Sequence, residues 1–127
     1  MSSVKILLFT VILTLQGGAI ARPTATDYIK RGAAEHANGD LDGAITDYTR
    51  ALQLNPKSAT AYYNRGLAEQ AKGDLDGAIA DYDHALQLNP KYTTAYFNRS
   101  TAKRAKGDVE GSNADEGRAL ELNRRGW

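Results

Sequence analysis

The sequence contains no cysteine, which excludes disulfides, thiolate metal sites, a cysteine nucleophile and a lipid-anchored cysteine. Histidine is almost as scarce. His36 and His84 are the only two, and neither has a partner at metal-ligand or triad spacing within its own segment. An excess of one charge is lacking too: sixteen basic residues face fifteen acidic ones, so the general electrostatic footprint of a nucleic-acid binder is missing. The Gly-Asp-Leu-Asp-Gly turns alternate acids, but not at the spacing of a calcium loop. Neither catalysis, nor a cofactor, nor a metal, nor a nucleic acid is expected from this inventory.

Long apolar runs are also absent. The run Ile6 to Leu15 is well short of the ~20 residues that span a bilayer. It follows Lys5 and precedes Gln16-Gly17-Gly18 and Ala19-Ile20-Ala21, the order of a secretory signal with an Ala-x-Ala cleavage site. Residues 1–21 are therefore expected to be removed after Ala21, leaving an exported chain that begins at Arg22, with residues 22–24 as a lead-in and no membrane attachment. Small exported domains commonly lean on disulfides; this one must rely on stacked helices, which fits a bacterial periplasm or the medium outside the cell.

What the chain does have is a repeat. Ala59 to Pro90, ATAYYNRGLAEQAKGDLDGAIADYDHALQLNP, slides back by 34 residues onto Ala25 to Pro56 without a gap, with most residues identical. Sliding forward gives a third copy, Thr93 to Arg124, that keeps its first half and changes its second. In the central copy Tyr62, Tyr63, Gly66, Leu67 and Ala71 recur at helical spacing until Gly73 ends the segment. A second segment opens on Asp74, places Leu75, Ala78, Ile79, Tyr82, Ala85, Leu86 and Leu88 on one broad face, and stops at Asn89-Pro90. Each unit is thus a helical hairpin. One hairpin buries too little to offset the ordering of its backbone, so neighbours must stack.

The pattern resembles the tetratricopeptide repeat, whose order of aromatic, small residue, small residue, aromatic, alanine and proline is met by Tyr62, Gly66, Ala78, Tyr82, Ala85 and Pro90. The first unit supplies Tyr28, Gly32, Ala44, Tyr48, Ala51 and Pro56. The resemblance implies an all-α, right-handed superhelical α-solenoid of three hairpins, six antiparallel helices in all: units at 25–58, 59–92 and 93–124, and a tail at 125–127. Helices are expected at 26–38, 41–54, 60–72, 75–88, 94–106 and 109–122. Arg31/Glu35 and Arg65/Glu69 replace the usual Leu and Tyr of the family, and their spacing predicts intrahelical ion pairs worth a few tenths of a kcal/mol. Gly43, Gly77 and Gly111, in the first turn of each second helix, read either as points of close approach or as tolerated surface glycines. Ser100, Ser112, Asn113, Glu116 and Arg124 depart from the pattern in the third unit, which is read as a degenerate cap with a polar outer face.

In proteins similar to this one the first helices line a concave groove that holds a peptide. The resemblance places Thr26, Ile29, Lys30, Ala33 and His36 there from the first unit. Thr60, Tyr63, Asn64, Leu67 and Gln70 come from the second, and Thr94, Phe97, Asn98, Thr101 and Arg104 from the third. Tyr63 and Phe97 offer aromatic area, while the amides of Asn64 and Asn98 could grip a peptide backbone or simply face solvent. Members that bind chaperone tails hold a terminal carboxylate in a clamp; Asn64 matches it, but Ile29, Ala33, Thr94 and Asn98 fill the other positions. Lys30 and Arg104, with Lys103 and Lys106, suggest an acidic segment as partner. The implied function is a non-enzymatic, monomeric adaptor. The alternative is a structural module that self-associates head to tail.

Overall fold

Residues 21–126 are described by the computed structural model, and among them the chain forms six α-helices and no strand. They are α1 (Ala25–Ala37), α2 (Leu41–Leu54), α3 (Ala59–Lys72), α4 (Leu75–Leu88), α5 (Thr93–Ala105) and α6 (Val109–Arg124). The all-α expectation of three hairpins therefore holds. The leader at residues 1–20 and Trp127 lie outside the described residues, and with them the expectations for the signal and the end of the tail.

Local chemistry sets the helix ends. Thr24 and Asp27 close a capping box on α1, and Ser58 caps α3 by accepting from the Ala61 N–H. Asp40, Asp74 and Asp108 cap the second helices by accepting from the N–H of Gly43, Gly77 and Gly111 at 3.0, 3.0 and 2.8 Å. The close approach at these glycines is thus made by the capping carboxylate of the same helix, which a Cβ would displace. Gly73, at φ 89°, takes the left-handed conformation that ends α3.

Inside each of the first two hairpins a glycine meets a buried ring. A Cβ on Gly32 would stand 2.8 Å from Cε1 of Tyr48, and one on Gly66 2.7 Å from Cε1 of Tyr82. Between hairpins the close packing is aliphatic: Ala61 seats on Ala51 and Leu52, and the equivalent Ala85, Leu86 and Ala95 are buried as well. The third hairpin corrects part of the sequence expectation. Ser100 and Ser112 are interior, not outer-face, residues; Ser100 takes the glycine position because Glu116 has replaced the ring that would have met it. Asn113 does face outward, and Leu120 is 60% exposed where Leu52 and Leu86 are covered. Among the described residues no further hairpin covers it.

Successive first helices touch, α1 with α3 and α3 with α5, whereas no contact joins α2 to α4 or α4 to α6. The array therefore bends with α1, α3 and α5 on its inner side.

Candidate functional site

The inner side is organised around α3, which touches both flanking first helices. Ile29 of α1 packs against the core beneath it, and Lys30 beside it is exposed. On α3, Tyr63 and Leu67 lean on a core of Ala78, Tyr82 and Ala102. Gln70 accepts a hydrogen bond from the Tyr82 hydroxyl at 2.7 Å, so a core tyrosine fixes the amide. Asn64 is half-buried and makes no side-chain hydrogen bond among the described residues. Phe97 of α5 is half-buried too.

The two asparagines differ. Asn98 donates its amide to the Tyr63 hydroxyl and to the Thr94 carbonyl, each at 2.9 Å, so its donors are committed within the protein. Arg104, expected at a basic groove end, turns to α6, where it meets Glu116 at 2.8 Å and Asn113 at 3.3 Å. Lys103 pairs with Asp115 at 3.0 Å and Lys106 with Asp76. That end of the groove is neutralised, which removes the basis there for preferring an acidic segment.

Tyr92 was not among the sequence candidates. It occupies the N-cap position that Thr24 and Ser58 hold 68 and 34 residues earlier, and α5 has no side-chain cap. Loss of such a cap costs about 1 kcal/mol. Its ring instead lies 4.7 Å from that of Tyr63, which in turn lies 6.0 Å from Tyr82. Aligning the three units on their caps would have found it.

A second feature missed in the sequence is an arginine–aspartate ladder. Arg31, Arg65 and Arg99 each grip an aspartate 16 residues ahead, on the second helix of the same hairpin, through two hydrogen bonds. The third nitrogen of Arg65 reaches back to Thr49 at 3.1 Å, and that of Arg99 to Asp83 at 2.7 Å. These rungs are the dominant partners of the arginines: of the expected intrahelical pairs, Arg65 keeps a long one with Glu69 at 4.0 Å, and Arg31 forms no salt bridge with Glu35. The Arg31 hydrogen bond holds the Asp47 carboxyl below its usual range. Burial, helped by the negative charge of Asp81, pushes Glu69 up to about 8, and burial also raises Glu35.

A tetratricopeptide repeat profile matches residues 59–92, and a second TPR repeat profile matches residues 32–73. The first TPR domain of Spaghetti (RPAP3), solved bound to the HSP90 peptide SRMEEVD, shares 30% identity at a TM-score of 0.77, over 78% of this chain and 79% of that one. The chain belongs to the tetratricopeptide repeat family. This repeat array is also similar to MamA, at 29% identity and a TM-score of 0.79 over 80% of its length, and it spans 60% of the MamA chain. The TPR domain of Arabidopsis OM64 shares 27% identity at a TM-score of 0.78, over 80% of this chain and 84% of that one. No curated protein sequence matches it.

Proposed function

We propose that this tetratricopeptide array is an exported, non-enzymatic adaptor that binds an extended protein segment along the inner face of α1, α3 and α5. The observation that carries the reading is the half-buried Asn64 amide at the middle of that face, unspent by the fold and flanked by Tyr63, Leu67 and Gln70. Similar TPR domains solved with the HSP90 peptide support the binding mode in outline. The grip differs here, because Ile29, Ala33, Thr94 and Asn98 leave no carboxylate clamp.

Head-to-tail stacking is the weaker reading. Asp27 stands where Ala61 and Ala95 are fully buried against the preceding hairpin, so a second copy stacked on α1 would bury a carboxylate against Ala119 and Leu120. At the other end Gly117 occupies the position of Thr49 and Asp83, so it offers no side-chain acceptor to a next arginine. The array is accordingly a monomer.

One preparation tests both parts. The full chain is exported from a bacterial host, its intact mass is read for an N-terminus at Arg22, and captured segments are titrated against Asn64→Ala and Gln87→Ala. Asn64→Ala should weaken binding by about 1 kcal/mol or more through lost hydrogen bonds, with the fold unchanged. Gln87, exposed on α4, should be silent. Binding lost at Gln87 and kept at Asn64 would move the partner to the outer side, and a retained leader would overturn export.

A further inference from the structure

We propose that the end of the array formed by α1 is a second docking site, separate from the groove, for a short protein segment in which an aspartate or glutamate stands next to a large aliphatic side chain. Arg22, Arg31 and Arg50 supply the charge, and Tyr28 and Leu54 the apolar wall.

The interfaces inside the molecule show what α1 is left to bind. Between hairpins, the third nitrogen of Arg65 donates to Thr49 at 3.1 Å and that of Arg99 to Asp83 at 2.7 Å. Arg31 holds the same place in the first hairpin, and no described helix precedes it. Two of its nitrogens grip Asp47, while the third makes no hydrogen bond among the described residues. Its side chain is accordingly 50% exposed, against 21% and 17% for Arg65 and Arg99. The guanidiniums of Arg31 and Arg50 lie 5.1 and 5.9 Å from the centre of the Tyr28 ring. Beside that ring opens a cavity of about 380 Å³, lined also by Arg22, Pro23, Arg50, Gln53 and Leu54. In the second hairpin His84 takes the position of Arg50 and stacks on Tyr62 at 4.8 Å, and Leu88 is less exposed than Leu54.

Charge complementarity selects the occupant. Asp47 faces both Arg31 and Arg50, so one carboxylate answers two guanidiniums, and Arg22 pairs with no acid among the described residues. Of the other acids nearby, Asp27 is committed to the Thr24 N–H and hydroxyl, and burial raises Glu35 towards its neutral form. The start of α1 and the end of α2 meet at the cavity, so their dipoles offset and the side chains set the sign. A carboxylate is therefore attracted, and an aliphatic neighbour covers Tyr28 and Leu54, which a bare anion would leave wet. A whole stacked helix is disfavoured, because it would cover Asp27 where the inner interfaces have Ala61 and Ala95. A short segment leaves that cap in water.

The test uses the full chain recovered from export and capped hexapeptides carrying Asp-Leu, Asn-Leu or Asp-Ser among glycines and serines, with inorganic phosphate as a fourth ligand. Binding is followed by backbone amide NMR on wild type and on Arg50→Gln, Leu54→Ser and Arg125→Gln, the last removing an equal charge at the end of α6. All three residues are exposed, and the amide spectra report that the fold is kept. The Asp-Leu peptide should bind roughly tenfold tighter than the Asn-Leu peptide, shift Tyr28, Arg31 and Leu54, and lose that lead as salt is raised. Arg50→Gln should erase most of the lead, Leu54→Ser should bring the Asp-Leu peptide down to the level of the Asp-Ser one, and Arg125→Gln should be silent. Equal affinity for the Asn-Leu peptide, equal losses in Arg50→Gln and Arg125→Gln, or phosphate binding as tightly as the Asp-Leu peptide overturns the proposal. So does a titration in which no peptide shifts Tyr28 and Leu54; if Asn64 and Leu67 shift instead, the acidic segment lies in the groove and the groove reading stands.

Discussion

The second and third hairpins share a backbone plan, and four of the positions at which they differ bear on how each is packed. Gly66 and Tyr82 become Ser100 and Glu116, Ile79 becomes Asn113, and Glu69 becomes Lys103. What joins the helices of a hairpin to each other and to the hairpin before it is retained: Arg99 still grips Asp115 and still reaches back to Asp83. The face turned away from the second hairpin is changed only in part: Asn113 replaces Ile79 and Gly117 replaces Asp83, while Leu120 is retained and exposed. The third unit is thus a full structural member toward the second hairpin and more polar on its other side.

The largest effect that probes this difference is ring removal. Tyr82→Ala should cost about 3–5 kcal/mol, because the ring is fully buried and closes on Gly66, while Glu116→Ala should stay within about 0.5 kcal/mol. Urea unfolding of the two variants reads the contrast. Comparable losses would mean that the third hairpin depends on Glu116 as the second depends on its tyrosine.

A smaller effect exchanges the residues beneath the ring. Gly66→Ser should cost about 1–3 kcal/mol, since a Cβ would arrive 2.7 Å from Tyr82. Ser100→Gly meets no ring and should cost about 0.5 kcal/mol, the helix-propensity difference between serine and glycine. Calorimetric melting temperatures that ranked the pair in the opposite order would break the account of Ser100 as an accommodation to Glu116.

The hairpins were legible in the sequence because their signals are local and repeated: Gly73 and Asn89-Pro90 end helices, the aspartates cap them, and the 34-residue period aligns everything else. The ladder was not, because its partners lie 16 residues apart on different helices while Glu35 and Glu69 sit at the nearer, more familiar spacing. Geometry decided between them: each aspartate meets its guanidinium through two nitrogens, whereas Arg65 reaches Glu69 only at 4.0 Å. The groove was legible as a surface but not as a set of commitments. Sequence alone gives Asn64 and Asn98 the same role, and only the Tyr63 hydroxyl distinguishes the free amide from the occupied one. Ser112 and Ser100 misled for a related reason, since a small polar residue reads as exposed until the packing around it is known.

The smallest effect sets the two hairpins against each other in pH. Glu69 is held by burial and by the negative charge of Asp81, with Asp74 adding to the rise and Arg65 opposing it, so its folded pKa stands near 8 against an ordinary 4.5. Between those values the unfolded chain releases the Glu69 proton and the folded chain keeps it, so stability falls as pH rises from 4.5 towards 8. In the third hairpin Lys103 replaces that carboxyl. Burial of Asp115 would raise it, but hydrogen bonds from Arg99 and Lys103 outweigh burial and leave it below the usual carboxylate range. Its contribution has the opposite sign: present above the ordinary value near 3.8, and lost as pH falls through the folded one. Glu69→Gln should therefore raise stability at pH 8 by about 1–2 kcal/mol relative to its effect at pH 5, because the amide needs no proton to stay neutral. Glu35, raised in the same direction, leaves a residual slope that Glu35→Gln should remove. Urea midpoints at the two pH values measure the difference. A Glu69→Gln variant with the wild-type slope would show that the buried carboxyl is ionised in the folded array, and that the exchange of Glu69 for Lys103 carries no electrostatic consequence.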